Sequence, residues 1–357
     1  MATRRYNFNA GPAALPLSVL QTVRDNLVDF EGHGLSLLEM SHRSPEFGLV
    51  IDGAKTALTE LYQVPDTHEI MFMQGGASLQ FAMVPLNLGP GGAYIDTGTW
   101  SSRAIAEAHL QGDAHVLWTG KEGGYSHIPT DLEIGSIPPE VPFVHYTSNN
   151  TIYGTQFASP PKSEAPLVCD MSSDFISRPI NIAPYDLIYA GAQKNAGPSG
   201  VTVLIIRRSV SRTFTGHHTV PKIMRYLTQA EKGSMYNTPN TFGIWLIKLV
   251  AEWVLEQGGL GKIAETNAAK AQRLYDAIEA HPLCACHADA TSRSLMNVTF
   301  RMQTPAQEQA FLARAAERNI IGLKGHRSVG GLRASLYNAI PSEAVDALID
   351  LLNDFRG

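Results

Sequence analysis

The sequence predicts an α/β protein: a large unit on a mainly parallel sheet, followed by a smaller α+β unit. Two observations carry this. Between residues 16 and 257, short runs that are apolar at nearly every position alternate with helical patterns. Strands of that kind are covered on both faces, which is the condition of a parallel sheet flanked by helices. Beyond Gly258-Gly259 the texture changes to amphipathic helices and two isolated strand-like stretches.

The elements follow in order. "EIMFM" (69–73) reads as a strand leading into Gly75-Gly76 and a helix. "AYIDT" (93–97) precedes the helical "WSSRAIAEAHLQG", and "PFVHY" (142–146), "PLVCD" (166–170), "LIYAG" (187–191) and "VTVLIIR" (201–207) are the remaining strands of the large unit. In the small unit, Ile263, Ala271, Leu274 and Ile278 share one helical face. "SLMNVTFRM" (294–302) and "GLRASLYNAI" (331–340) are strand-like, and "PAQEQAFLARAAERN" and "PSEAVDALIDLLNDF" are amphipathic helices. The Pro- and Gly-punctuated residues 1–15 find no place in the large unit and are assigned, with 258–357, to the small one.

Composition narrows the function classes. The chain has 357 residues, 44% of them apolar and 17% charged, which allows a substantial core. A net charge of −5 without a basic cluster gives no electrostatic case for nucleic acid or an anionic membrane. No apolar h-region or membrane-length run is seen, and Cys169, Cys284 and Cys286 are too few and odd for a disulfide framework. The expectation is a soluble cytoplasmic protein. Cys284-Ala-Cys286-His287 could be a metal fragment, but further zinc ligands are not offered at the usual spacings, so no metal is expected.

Several polar groups fall at strand ends, where parallel α/β sheets bind ligands. The stretch "LIYAGAQKNAGPSGVTVLII" sets one lysine, Lys194, among small residues, so that other atoms can approach its amine closely. A lysine in an apolar pocket or beside another cation has a lowered pKa and becomes a nucleophile; the alternative is a surface lysine on a turn. Asp170 ends "PLVCD" and is either a site carboxylate or the N-cap of a helix over "DMSSD". Gly75-Gly76-Ala77-Ser78 is either a phosphate cradle at a helix N-terminus or a tight turn. Lysine, aspartate and glycine loop together are what pyridoxal phosphate requires. Trp100 could stack on such a ring, and Thr151 ends the strand that runs into "TSNNT". His42-Arg43, His326-Arg327 and Arg333 are ordinary surface charge taken singly, but as a set they suit a small substrate with a phosphate and a carboxylate.

The ordered stretches "YNFNAGPAALP", "EMSHRSPEF", "QGGASLQF", "DTGTWSSRA", "NNTIYGTQF", "CDMSSDFISRP", "GAQKNAGPSG", "YNTPNTF" and "GHRSVGGLRASLYNA" together resemble the phosphoserine aminotransferases over nearly the whole chain. These are class-V, fold-type-I pyridoxal-phosphate enzymes. The resemblance implies a seven-stranded sheet in the large domain, pyridoxal 5'-phosphate as cofactor, and a homodimer with shared active sites. It implies that Lys194 carries the cofactor as a Schiff base and moves the Cα proton, and that Asp170 pairs with the pyridinium nitrogen. Trp100 would stack on the ring and Thr151 would bind its 3′ oxygen. Ala77, Ser78 and Gln193 would hold the cofactor phosphate, with Asn237 and Thr238 reaching it from the neighbouring subunit. Arg333 would clamp the substrate α-carboxylate. His326 and Arg327, with the neighbouring subunit's copies of residues 42 and 43, would take the substrate phosphate or the side-chain carboxylate of glutamate. The implied reaction moves the amino group of L-glutamate to 3-phosphohydroxypyruvate, and 4-phosphohydroxy-L-threonine is an implied second substrate. Another fold-type-I aminotransferase or lyase is the nearest alternative, and a non-catalytic metabolite-binding protein on the same fold is the alternative of another class.

Overall fold

The computed structural model describes residues 4–138, 140–214 and 219–357. Seven strands form the central sheet: β1 (His68–Met73), β2 (Ala93–Asp96), β3 (His115–Thr119), β4 (Val144–Thr147), β5 (Leu167–Asp170), β6 (Leu187–Gly191) and β7 (Thr202–Arg207). Their spatial order is β1-β7-β6-β5-β4-β2-β3. All run the same way except β7, which is antiparallel to both neighbours. The connection 192–201 is the reason. A parallel return needs a crossover of about a dozen residues or more, and this loop, closed by Ala192 N–H on Val201 O at 3.0 Å, carries no helix.

The continuous apolar runs are explained by burial on both faces. Along β6, Leu187 and Tyr189 pack into one layer while Ile188 and Ala190 pack into the other. The first layer is closed by helices α2 (Gly76–Leu88) and α3 (Thr99–His109). The second is closed by α1 (Pro45–Tyr62) and α4 (Thr241–Glu256). Helix α1 starts where Ser44 Oγ accepts the Phe47 N–H and Pro45 supplies a pre-set φ at the first turn. β3 is the strand that the apolar pattern did not signal. It lies at the sheet edge with His115 and Val116 exposed, so "HVLWT" lacks the fully buried run of its neighbours.

The small unit has its own core. Strands β8 (Cys284–Cys286), β9 (Asn297–Met302) and β10 (Leu332–Ser335) form an antiparallel sheet. Helices α5 (Gly259–Ala280), α6 (Pro305–Glu317) and α7 (Ser342–Asp354) pack around Phe300, Phe311, Leu348 and Leu352. Ala271, Leu274 and Ile278 of α5 are buried in this core, as their spacing predicts, while Ile263 near the start of the helix is buried in the core of the large unit. The N-terminal segment joins this core: Tyr6–Asn7 pairs with Ile320–Ile321, and Phe8 is fully buried there. The segment then runs across to the large unit, where Ala13 N–H meets Gln193 O at 2.9 Å. At Gly11 the chain passes so near Lys194 that an added Cβ would stand 3.3 Å from its Cγ.

Candidate active site

The carboxyl ends of β1, β4, β5 and β6 lie on one side of the sheet because these strands share a direction. Lys194 sits in the β6–β7 loop, partly buried. Its Nζ donates to Thr151 Oγ1 at 2.9 Å, just past β4, and lies 5.3 Å from the centre of the Trp100 ring in the first turn of α3. Burial lowers the Lys194 amine to about 8, helped by the Arg333 guanidinium and opposed by the Asp170 and Asp174 carboxylates. A lysine so held is a ready nucleophile near neutral pH.

Asp170, at the end of β5, is 4% exposed. Its Oδ1 accepts from the Ser172 N–H at 3.0 Å and the Ser172 hydroxyl at 2.6 Å, while Oδ2 accepts no hydrogen bond among the described residues. Burial raises the carboxyl pKa, against the pull of Lys194 and the Ser172 hydrogen bonds. The alternative role as a helix N-cap is corrected here: residues 172–176 form turns, not a helix, and Oδ1 is taken up in an Asx-type turn on Ser172, leaving Oδ2 available. Ser172 also accepts the Gly191 N–H at 3.1 Å, so it braces the ends of β5 and β6 together. Sequence reading passed over Ser172; the Asp-x-Ser spacing in "DMSSD" was its only signal.

Beyond β1, Gly75 (φ 93°) and Gly76 (φ 64°) turn the chain into α2. This helix has no side-chain N-cap, so the first-turn N–H groups of Ala77 and Ser78 have no acceptor within the helix. With the helix dipole they could hold a phosphate. Gln193 folds its side chain over Gly191, where a Cβ would meet its Oε1 at 2.9 Å.

A group of cations gathers about His326, and one of them, Arg333, also acts on Lys194. Arg333, on β10 of the small unit, donates Nη1 to Thr151 O at 3.1 Å. Arg333, Arg327 and Arg103 all act on His326, whose pKa is lowered first by burial and then by these neighbours. Arg103 also lies over the Trp100 ring, 5.0 Å from its centre. Arg103 was not singled out from sequence, because one arginine on an amphipathic helix carries no distinguishing pattern.

Four predicted residues stand apart from this group. No hydrogen bond, ion pair or ring contact joins His42, Arg43, Asn237 or Thr238 to Lys194, Asp170 or Arg333 among the described residues. Arg43, Asn237 and Thr238 are exposed, and the buried His42 Nε2 has no hydrogen-bond partner among the described residues. Thr238 O accepts from Gln74 Nε2 at 3.0 Å, at the root of the glycine loop.

Comparison with known proteins decides the family. The class-V aminotransferase model matches residues 5–348. The chain belongs to that family. A phosphoserine aminotransferase of Halalkalibacterium halodurans is 49% identical over 99% of this chain and 98% of its own. A solved phosphoserine aminotransferase, studied for radiation damage of its Schiff base, is 44% identical with a TM-score of 0.96, over 99% of this chain and 98% of that one. The phosphoserine aminotransferase of Trichomonas vaginalis, solved with pyridoxal phosphate bound, is 34% identical with a TM-score of 0.91, over 98% and 100%. This class-V aminotransferase is therefore a pyridoxal-phosphate-dependent transaminase. Its residues fit that cofactor: a lysine with a lowered pKa, a buried carboxylate with an unpartnered oxygen, and an uncapped helix N-terminus at neighbouring strand ends.

Proposed function

We propose that this transaminase moves the amino group of L-glutamate to 3-phosphohydroxypyruvate, yielding 2-oxoglutarate and O-phospho-L-serine. The observation that carries the reading is the gathering of Arg333, Arg327 and Arg103 about His326, with Arg333 also acting on the Lys194 amine. Such a group favours substrates with two separated anionic groups, and both partners of this reaction have them. The full-length similarity to phosphoserine aminotransferases supports the same choice.

Pyridoxal phosphate, when bound, supplies the aldehyde that accepts an amine and the ring that withdraws electrons from the substrate. The chain's residues do the rest. In this reading the Lys194 amine holds the cofactor and later moves the proton at the substrate Cα. Asp170, fixed by Ser172, keeps a proton on the ring nitrogen. Trp100 packs against the ring and Thr151 Oγ1 binds its hydroxyl. The N–H groups of Ala77 and Ser78, with the Gln193 side chain, hold the cofactor phosphate. Arg333 takes the α-carboxylate, while His326 and Arg327 take the distal phosphate or carboxylate. The same distal site would admit 4-phosphohydroxy-L-threonine.

We also propose a homodimer in which Asn237 and Thr238 serve the cofactor phosphate, and His42 and Arg43 the substrate, of the opposite active site. Two features support this: among the described residues no bond joins these four to Lys194, Asp170 or Arg333, and Leu27, Val28, Leu35, Leu38 and Leu49 around residues 42–43 are exposed. Apolar side chains of this number in one segment suit an interface. The setting is read as cytoplasmic: Cys169, Cys284 and Cys286 are free thiols, and no helix among the described residues is long and apolar enough to cross a membrane.

The substrate assignment is tested with Arg327→Ala. Its kcat/KM for 3-phosphohydroxypyruvate should fall by about 10²-fold, the loss of a charge-assisted hydrogen bond to phosphate. Its use of unphosphorylated hydroxypyruvate should change little. An equal fall for both keto acids would remove Arg327 from the phosphate site.

A further inference from the structure

Behind Lys194, where the two units meet, lies a chain of buried polar side chains with no part in the chemistry above. Asn195 Oδ1 accepts the backbone N–H of Asn338 at 2.9 Å, and its Nδ2 donates to Phe175 O at 2.7 Å. Asn338 Nδ2 donates to Ile176 O at 2.8 Å, and its Oδ1 accepts from Asn267 Nδ2 at 2.8 Å. One turn along α5 from Asn267 stands Lys270, which is 1% exposed. Its Nζ donates to Leu336 O at 3.1 Å, Tyr337 O at 3.1 Å and Ile340 O at 3.0 Å.

These three carbonyls use all three donors of an ammonium group. No carboxylate lies within ion-pairing distance of Lys270 among the described residues. Burial without a counter-ion lowers the Lys270 amine to about 7, so holding the three-donor ammonium is costly, and an apolar side chain of the same shape would stabilise the core as well or better. What the ammonium alone supplies is convergence. It draws the carbonyls of 336, 337 and 340 to one point and so fixes the bend that follows β10. That bend carries Asn338 onto Asn195, next to Lys194, and Arg333 lies three residues before it. Asn338 also holds the Ile176 carbonyl in the turn segment that follows Asp170.

We propose that Lys270, acting through Asn338 and Asn195, is a positioning residue that sets the distance between Arg333 and the Lys194 amine. This rests on the roles given above to Lys194 and Arg333. A carboxylate clamp on one unit and a reactive amine on the other must be held in register, because small misplacements of reacting groups cost large factors in rate.

The test uses the holoenzyme and the cofactor-free protein with Lys270→Met, which keeps most of the length and removes the amine. The variant should keep the yellow colour of the bound cofactor. KM for both L-glutamate and 3-phosphohydroxypyruvate should rise about tenfold, and kcat should fall by a similar factor. Amide exchange of the 336–340 segment, led by the Asn338 N–H, should quicken about tenfold in both forms. Lys270→Gln, which restores two donors, should recover most of both effects. A lowered Tm with unchanged KM and unchanged exchange would make Lys270 merely structural and overturn the proposal. Should Lys270→Met fail to fold, Asn195→Ala breaks the same link from the other end, and an unchanged KM there would equally overturn it. Failure of the underlying site is separately visible: a Lys194→Ala protein that still turns over, or an Arg333→Ala protein with normal KM, would refute that reading whatever Lys270 does.

Discussion

Lys194 and Asp170 show how one buried site sets two titrations against each other. Burial lowers the lysine and raises the aspartate, and each charge partly restores the other. The amine is held to about 8, so roughly a tenth of the cofactor-free protein carries it neutral at pH 7. The neutral amine is the nucleophile, and its fraction grows as pH rises through the lowered pKa. Covalent uptake of pyridoxal phosphate by the cofactor-free protein should therefore accelerate with pH and level off above about 8. Stopped-flow absorbance from about pH 6 to about pH 11 checks this, and a midpoint near 10.4, the value of an ordinary lysine, would contradict the burial argument. At this scale the sequence was informative: the small neighbours of Lys194 announced a crowded loop, and Gly11, Gly191 and Ala192 pack against or beside it. It did not announce Ser172 or Arg103, whose importance comes from what folding places next to them.

Among the elements, the β1–α2 turn carries the most specific requirement. Gly75 has φ 93°, and a Cβ there would stand 2.5 Å from Leu79 Cδ2. Gly75→Ala should cost roughly 1–2 kcal/mol in backbone strain. It should also tilt the first turn whose N–H groups are assigned to the cofactor phosphate. The expected outcome is a cofactor Kd raised about tenfold together with a lowered Tm. Wild-type affinity, measured by titrating the cofactor-free protein, would show that this turn is not the cradle. The strands of the large sheet were legible because burial on both faces leaves an unbroken apolar run. Edge strand β3 was not, since its residues are exposed or only partly buried on both faces and carry little signal. The turns after Asp170 were also hidden: "DMSSD" suits a helix start as well as an Asx turn, and only the packing of β5 against β6 decides.

For the molecule as a whole, the site is assembled from distant parts of the chain. The N-terminal segment crosses from the small core to Lys194, and β10 brings Arg333 to Thr151. Composition could show that residues 1–15 had no place in the large unit; their pairing with Ile320–Ile321 is long-range and left no local trace. The buried Lys270–Asn338–Asn195 link was equally silent, because a lysine on an amphipathic helix reads as solvated until the fold buries it. The proposed dimer makes a quantitative prediction. Mixed, refolded Lys194→Ala and Arg43→Ala chains should recover about a quarter of wild-type activity, since half of random dimers are mixed and each has one intact site. No recovery above the parent variants would place Arg43 in the same site as the Lys194 of its own chain, or outside the site altogether.

The two-step half-reaction on the purified yellow enzyme, followed by its visible absorbance, tests the central claim most directly. L-glutamate should bleach the colour, 3-phosphohydroxypyruvate should restore it, and unphosphorylated hydroxypyruvate should restore it poorly. Equal recovery with both keto acids would contradict the phosphate site built on His326 and Arg327, and no bleaching by L-glutamate would contradict the proposed amino donor.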